Sequence, residues 1–222
     1  MAQAQAIGID GFALNCAPPR VDSYTPNQLA NAYEAAAQLG NFVLFVSFDF
    51  AYWSEGDTAE ITSILSNYST HPAQAYYNGG ALASTFVGDD FNWNAVKSAM
   101  APQQLFAVPN LQDPNFLSTA TTGLDGALSW YAWPTDGGNS VILGPMTTIW
   151  DDRYLANKGN KVYMARTCSI SHRTCDSLIN YQPYPLGSRR ILIPRIGFSF
   201  ARNSPPSAGN KCSRCSLTSS KS

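Results

Sequence analysis

The chain has 222 residues and a net charge of -1, and it is 45% hydrophobic, 12% aromatic and 13% charged. That composition can bury a sizeable core and excludes disorder throughout. No run of about 18 apolar residues occurs, so no membrane-spanning helix is expected, and the N-terminus (MAQAQAIGIDGF) lacks the basic and apolar regions of a secretory signal.

Taken in chain order, Asp10 to Asn15 (DGFALN) reads as a first strand, and a helix follows. Thr25 is its expected cap, with Pro26 at the first helical position and Gln28 three after the cap. Leu29, Tyr33, Ala36 and Leu39 form its apolar face, and Gly40 suits its end. The run Phe42 to Phe50 (FVLFVSFDF) is apolar on both faces, the pattern of a strand buried in a parallel sheet, and it ends on Asp49. Open α/β sheets and barrels place their chemistry at the carboxyl ends of such strands, which singles out Asp49.

A second helix is expected from an Asp57 cap with Glu60 completing a capping box, and Ile61, Ile64, Leu65 and Tyr68 make its stripe. Leu82 to Gly88 is the next strand. Asn92 then caps a helix that runs to Met100, with Pro102 just beyond. Leu105 to Asn110, Gly126 to Trp133 and Lys161 to Ala165 complete six strands. Strand–helix alternation predicts an α/β fold with a parallel sheet. Six strands in 165 residues are expected as a partial (β/α)8 barrel lacking its first and last strands, which leaves two open edges, exposed apolar surface and poor solubility.

The pattern changes at Arg166. Residues 1–165 carry five Lys and Arg against fourteen Asp and Glu, a net of -9, whereas residues 166–222 carry nine against one, a net of +8. Two segments are therefore expected: a domain over 1–165 and a basic Ser/Arg/Pro/Cys-rich tail over 166–222, irregular for the most part. In that tail only Arg190 to Ile196 and Phe198 to Phe200 resemble strands, and Pro194 restricts the first to a sheet edge. A basic tail can bind phosphate backbones, but this one has little aromatic interleaving, and no nucleic-acid partner is expected. No metal site is expected either, because Cys212-x-x-Cys215 has no second pair at zinc spacing.

Several segments together resemble one family, the fungal α-1,3-glucanases (mutanases) of glycoside hydrolase family 71. They are GIDGFALN (8–15), DSYT (22–25), LFVSFDF (44–50), PAQAY (72–76), ASTFVGD (83–89), VPN (108–110), DGALSWYAW (125–133) and KVYMA (161–165), and the similarity covers about residues 6–165. The resemblance implies a (β/α)8 barrel and a secreted or cell-wall, cofactor-independent, inverting endo-hydrolase of α-1,3-glucan. It also implies a strand before Met1 and a last strand ending in a Trp-Asn-Asp-Tyr-Gly-Glu motif, which residues 166–222 do not match. A shifted reading frame or misplaced exon junction near Arg166 would produce that break. A chain without those last carboxylates is expected to act weakly, or to persist as a glucan-binding remnant that no longer turns over.

Glycoside hydrolysis uses two carboxyl groups, one protonating the leaving oxygen and one activating water or attacking the sugar. The resemblance makes Asp49 one of them; the competing reading is an Asp that caps the next segment. Asp89 ends its strand and is expected to bind a sugar hydroxyl or Asp49, unless it only shapes a turn. Trp53, Trp130 and Trp133 lie at or after strand ends and are candidate sugar platforms, because sugar C–H groups meet the negative face of a ring. Period two turns Trp130 and Trp133 to opposite faces, so one of them is expected to pack internally. Asn15 and Asn110 end their strands and are placed to donate to sugar hydroxyls or to form turns. Asp10 and Asp125 precede strands and should serve structure. Asn67-Tyr68-Ser69 is a glycosylation sequon that matters only for a secreted chain.

Overall fold

The computed structural model describes residues 1–130, 149–167, 190–193 and 196–201. Six of its strands fall where the apolar runs predict. They are β1 (Gly11–Cys16), β2 (Val43–Asp49), β4 (Gly80–Phe86), β5 (Leu105–Ala107), β6 (Gly126–Leu128) and β7 (Val162–Thr167). A two-residue strand, β3 (Tyr76–Tyr77), pairs antiparallel with the start of β4 across the turn Asn78-Gly79. Both turn residues have positive φ, which an Asn-Gly pair adopts readily.

β1 pairs parallel with β2, β2 with β4, β4 with β5, and β6 with β7. β5 and β6 are tied by two backbone hydrogen bonds, Asp125 N–H to the Ala107 carbonyl and Leu128 N–H to the Pro109 carbonyl, both 2.9 Å. The molecule is thus a mixed α/β fold built on parallel strands.

Two strands of the basic segment, at the two runs that resemble strands in the sequence, join this sheet at edges expected to be open. β8 (Arg190–Ile193) pairs parallel with β1, and β9 (Ile196–Ala201) pairs antiparallel with both β8 and β7. β8 therefore lies between two strands rather than at an edge. Backbone donors and acceptors that β1 and β7 would otherwise leave open are paired, which is what a sheet edge requires.

The helices are α1 (Ala2–Ala6), α2 (Thr25–Leu39), α3 (Thr58–Tyr68), α4 (Trp93–Met100), α5 (Phe116–Thr119) and α6 (Ile149–Asn157). None is long and apolar enough to cross a membrane. Gly40 ends α2 at φ +68°, a conformation that costs glycine little. Asn92 caps α4 through its side chain, as expected. Two other cap assignments differ. Thr25 lies inside α2 and donates its hydroxyl to the Ala17 carbonyl. Asp57 makes no side-chain cap to α3; its carboxylate accepts from the Ser54 N–H and hydroxyl instead.

Strand alternation separates two cores. On one face Leu44, Val46 and Phe48 of β2 pack against Leu29 and Tyr33 of α2 and Ile61 of α3. On the other, Ala13, Phe45, Leu82, Val108, Leu128 and Met164 meet in one small cluster drawn from β1, β2, β4, β6, β7 and the extension of β5. Residues two and four further along these strands share that second face, and there the side chains become polar: Asn15, Ser47, Asp49 and Ser84.

Candidate active site

Asn15 and Ser47 are register partners across β1 and β2, and Asp49 follows on the same face. The Ser47 hydroxyl donates to Asn15 Oδ1 at 3.2 Å, and Asn15 Nδ2 donates to Asp49 Oδ2 at 3.2 Å. The second carboxylate oxygen of Asp49 accepts the Ala51 N–H at 3.1 Å. Asp49 is half-buried, and the donors on its carboxylate among the described residues are neutral, with no cation among them. Its carbonyl accepts the N–H groups of Tyr52 and Trp53 at 2.9 and 3.0 Å, which winds the chain into a tight turn directly above the strand.

That turn is fastened from the neighbouring loop. Arg20, between β1 and α2, donates through Nη1 and Nη2 to the two carboxylate oxygens of Asp57 at 2.9 and 2.8 Å, and through Nη2 to the Tyr52 carbonyl at 2.9 Å. Glu60 lies 3.7 Å from the same guanidinium. A forked pair of this kind fixes geometry as well as charge. Partial burial raises the Asp57 carboxyl, but the hydrogen bonds from Arg20 and Ser54, with the charge of Arg20, outweigh it and leave the carboxyl below its ordinary value. Arg20, which fastens the turn after Asp49, is a residue that the sequence reading missed. It is the only Lys or Arg among the first 96 residues, in a segment rich in carboxylates, which is the signal that could have found it.

Trp53 is a correction. Its ring is 4% exposed, sits edge-on to Phe48 at 5.4 Å between centroids, and lies 5.7 Å from the Arg20 guanidinium carbon. Its indole N–H donates to the Cys16 carbonyl at 2.8 Å. The ring braces β1 against the turn and offers no open face to a sugar. Behind it, desolvation pushes the Cys16 thiol up to about 12, and the charges of Asp49 and Asp22 add to the effect.

Asp89 also differs from expectation. Its two oxygens accept the backbone N–H groups of Gln112 and Asp113 at 2.9 and 3.1 Å, so it ties the loop after β4 to the loop after β5, and its partners do not include Asp49. The loop after β4 turns sharply, with Val87 at φ +53° and Gly88 at φ +95°. Gly88 is required twice over, because an added Cβ would stand 2.8 Å from the Phe50 ring. Val87 is β-branched, and holding it there costs about 1–3 kcal/mol. A cleft of about 510 Å³ opens at this loop, walled by Phe50, Glu55, Val87, Asp89, Asp90 and Gln112. Asp49 does not line it, but the next residue does.

Asn110 and Trp130 come together. Asn110 is buried, and its Oδ1 accepts the Trp130 N–H at 3.0 Å. The Trp130 ring is half-buried, edge-on to Phe86 at 5.1 Å, and its indole N–H donates to the Thr85 carbonyl at 3.2 Å. Trp133 lies outside the described residues. Asp125 serves structure as expected: Oδ2 accepts from Lys97 Nζ at 2.7 Å and from the Ala107 N–H at 2.8 Å.

This geometry can be set beside known proteins. A mutanase of Penicillium rubens is 60% identical over 169 residues, which cover 74% of this chain and 36% of the relative. A glucan endo-1,3-alpha-glucosidase of Schizosaccharomyces pombe is 33% identical over 73% of this chain and 39% of its own length. An ascus wall endo-1,3-alpha-glucanase of the same yeast is 26% identical over 75% and 40%. The chain thus spans about 36 to 40% of the length of these curated relatives. No solved structure matches it significantly. The sequence model of glycosyl hydrolase family 71 matches residues 1–182, past the boundary expected at Ala165. Because that match takes in most of the 222 residues, the chain belongs to glycosyl hydrolase family 71.

Proposed function

We propose that this chain contributes to endo-acting hydrolysis of α-1,3-glucan, with Asp49 as one of the paired acid–base carboxylates. The names of the similar mutanase and endo-1,3-alpha-glucosidase supply the substrate class. The observation that carries the reading is the setting of Asp49: it ends β2 on the polar stretch of the second face, held by Asn15 and Ala51 through neutral donors. A carboxyl group at that position is within the geometry that acid–base work on a glycosidic oxygen or on water needs. Asn15 orients it, Ser47 orients Asn15, and Arg20 fixes the turn above it.

We read the parallel strands as staves of a (β/α)8 barrel. Convergence of side chains from six strands into one cluster supports this, as do the two backbone bonds that join β5 to β6. Asn110 and Trp130 then stand on the same mouth as Asp49, with Asn110 holding Trp130 in place.

The test is release of reducing ends from α-1,3-glucan by the wild-type chain and by Asp49→Asn. Turnover that is lost in the variant supports the assignment, and equal turnover by both removes Asp49 from it. A second reading, glucan binding without hydrolysis, is favoured by the hydrogen bonds of Asp49 itself, which among the described residues join its carboxylate to Asn15 and Ala51 and to no second carboxyl group. Retention of the wild-type chain on insoluble α-1,3-glucan with no released sugar selects that reading.

A further inference from the structure

Six large hydrophobic side chains are exposed among the described residues: Ile7, Val21, Tyr24, Tyr52, Tyr76 and Ile149. Three of them, Val21, Tyr24 and Tyr52, lie on the two loops that follow β1 and β2, the adjacent strands that carry Asn15 and Asp49. Single exposed apolar residues need no explanation, but a group beside a polar site does.

Tyr52 is 53% exposed although its backbone is held at both ends. Its N–H donates to the Asp49 carbonyl and its carbonyl accepts from Arg20, each at 2.9 Å. Exposure here comes from a pinned turn, not from a loose loop. Tyr24 is 69% exposed, and its N–H donates to Asp22 Oδ1 at 3.0 Å in the loop that supplies Arg20. The two rings are therefore carried by loops that Arg20 fastens together, next to a carboxylate. Trp53, the next residue after Tyr52, is buried.

We propose that Tyr52 is a sugar-stacking platform that seats a glucosyl unit of the glucan beside Asp49, with Tyr24 extending the same strip outward. The inference rests on the functional reading above and adds the residues that would hold the chain. A tyrosine ring suits this task, because it offers an apolar face to sugar C–H groups and a hydroxyl to the water at the rim, at a low cost in side-chain freedom.

The experiment is a binding isotherm of the full chain on insoluble α-1,3-glucan, with melting of each variant followed by circular dichroism. Tyr52→Ala and Tyr52→Leu should each weaken binding about tenfold, while Tyr52→Phe stays within about twofold of wild type. Tyr24→Ala should weaken it by about threefold. Tyr76→Ala is the control: Tyr76 is 51% exposed but pairs with the start of β4, away from Phe86, and should bind as wild type. Wild-type affinity in Tyr52→Leu, which keeps apolar bulk without the ring, overturns the stacking role while leaving the functional reading intact. A wild-type chain that does not bind the glucan overturns that reading and this inference with it.

Discussion

Asp49 closes β2 and Asp125 opens β6, and the two carboxylates are built into opposite circumstances. Asp125 faces an ammonium group at 2.7 Å and also accepts a backbone N–H, so it is committed to holding α4 against the sheet. Among the described residues Asp49 accepts only neutral donors, from a side chain and from the turn it begins. The same residue type faces a cation in one place and neutral donors in the other. Asp57 belongs with Asp125, because Arg20 forks it; Asp89 is like Asp49 in accepting one neutral donor on each oxygen, but both of its donors are backbone N–H groups of another loop. Partner identity therefore separates Asp57 and Asp125, each paired with a cation, from Asp49 and Asp89, although all of them lie next to strand or helix ends.

The comparison breaks first if Asp49 can be neutralised at no cost to function. Asp49→Asn should lower hydrolysis of α-1,3-glucan by about 10²- to 10⁴-fold, and its melting midpoint should stay near wild type. Asp125→Asn should do the reverse. Loss of the ion pair and of a charged acceptor removes about 1–2 kcal/mol and lowers the midpoint by roughly 2–6 °C, with kcat unchanged in the protein that remains folded.

Acid titration sharpens the same contrast. The Asp57 carboxyl is held below its ordinary value in the folded chain. The stability it contributes is complete above about pH 4, the unfolded value, and fades as pH falls from there through the lower folded value. A melting series from pH 6 to pH 2 should show this decline, and Asp57→Asn should flatten that part of it. The smallest expected effect concerns Cys16. With its thiol pushed up to about 12, site-resolved mass spectrometry after iodoacetamide treatment of native protein at pH 8 should find it unmodified. Rapid labelling there would mean that the wall behind Trp53 opens.

Much of this architecture was legible in the residues. Six apolar runs with polar or Gly/Pro ends gave their strands to within a few positions, because burial on both faces leaves a continuous hydrophobic signal. Asp49 stood out because it ends the most apolar of those runs. The misreadings share one cause: a side chain's partner comes from elsewhere in the chain. Nothing local to Trp53 distinguishes an open platform from a brace, since Cys16 and Arg20, 37 and 33 positions away, decide it. Asp57 has the composition of a helix cap, but Arg20 and Ser54 hold its carboxylate instead. β8 and β9 fall on the two runs that resemble strands, but nothing local to Pro194 shows that β8 has β1 on one side and β9 on the other and so is not an edge. The β3–β4 turn was readable from Asn78-Gly79 between Tyr77 and Gly80, and the strand before it is too short to announce itself.

The most direct test of the central claim follows backbone amide shifts as an α-1,3-linked glucooligosaccharide is titrated into the isotopically labelled chain. Shifts should saturate together at Asn15, Asp49, Ala51, Tyr52 and Trp130, while Lys97 and Asp125 stay still. Saturable shifts confined to the surroundings of Lys97 and Asp125, or none anywhere at millimolar ligand, would contradict it.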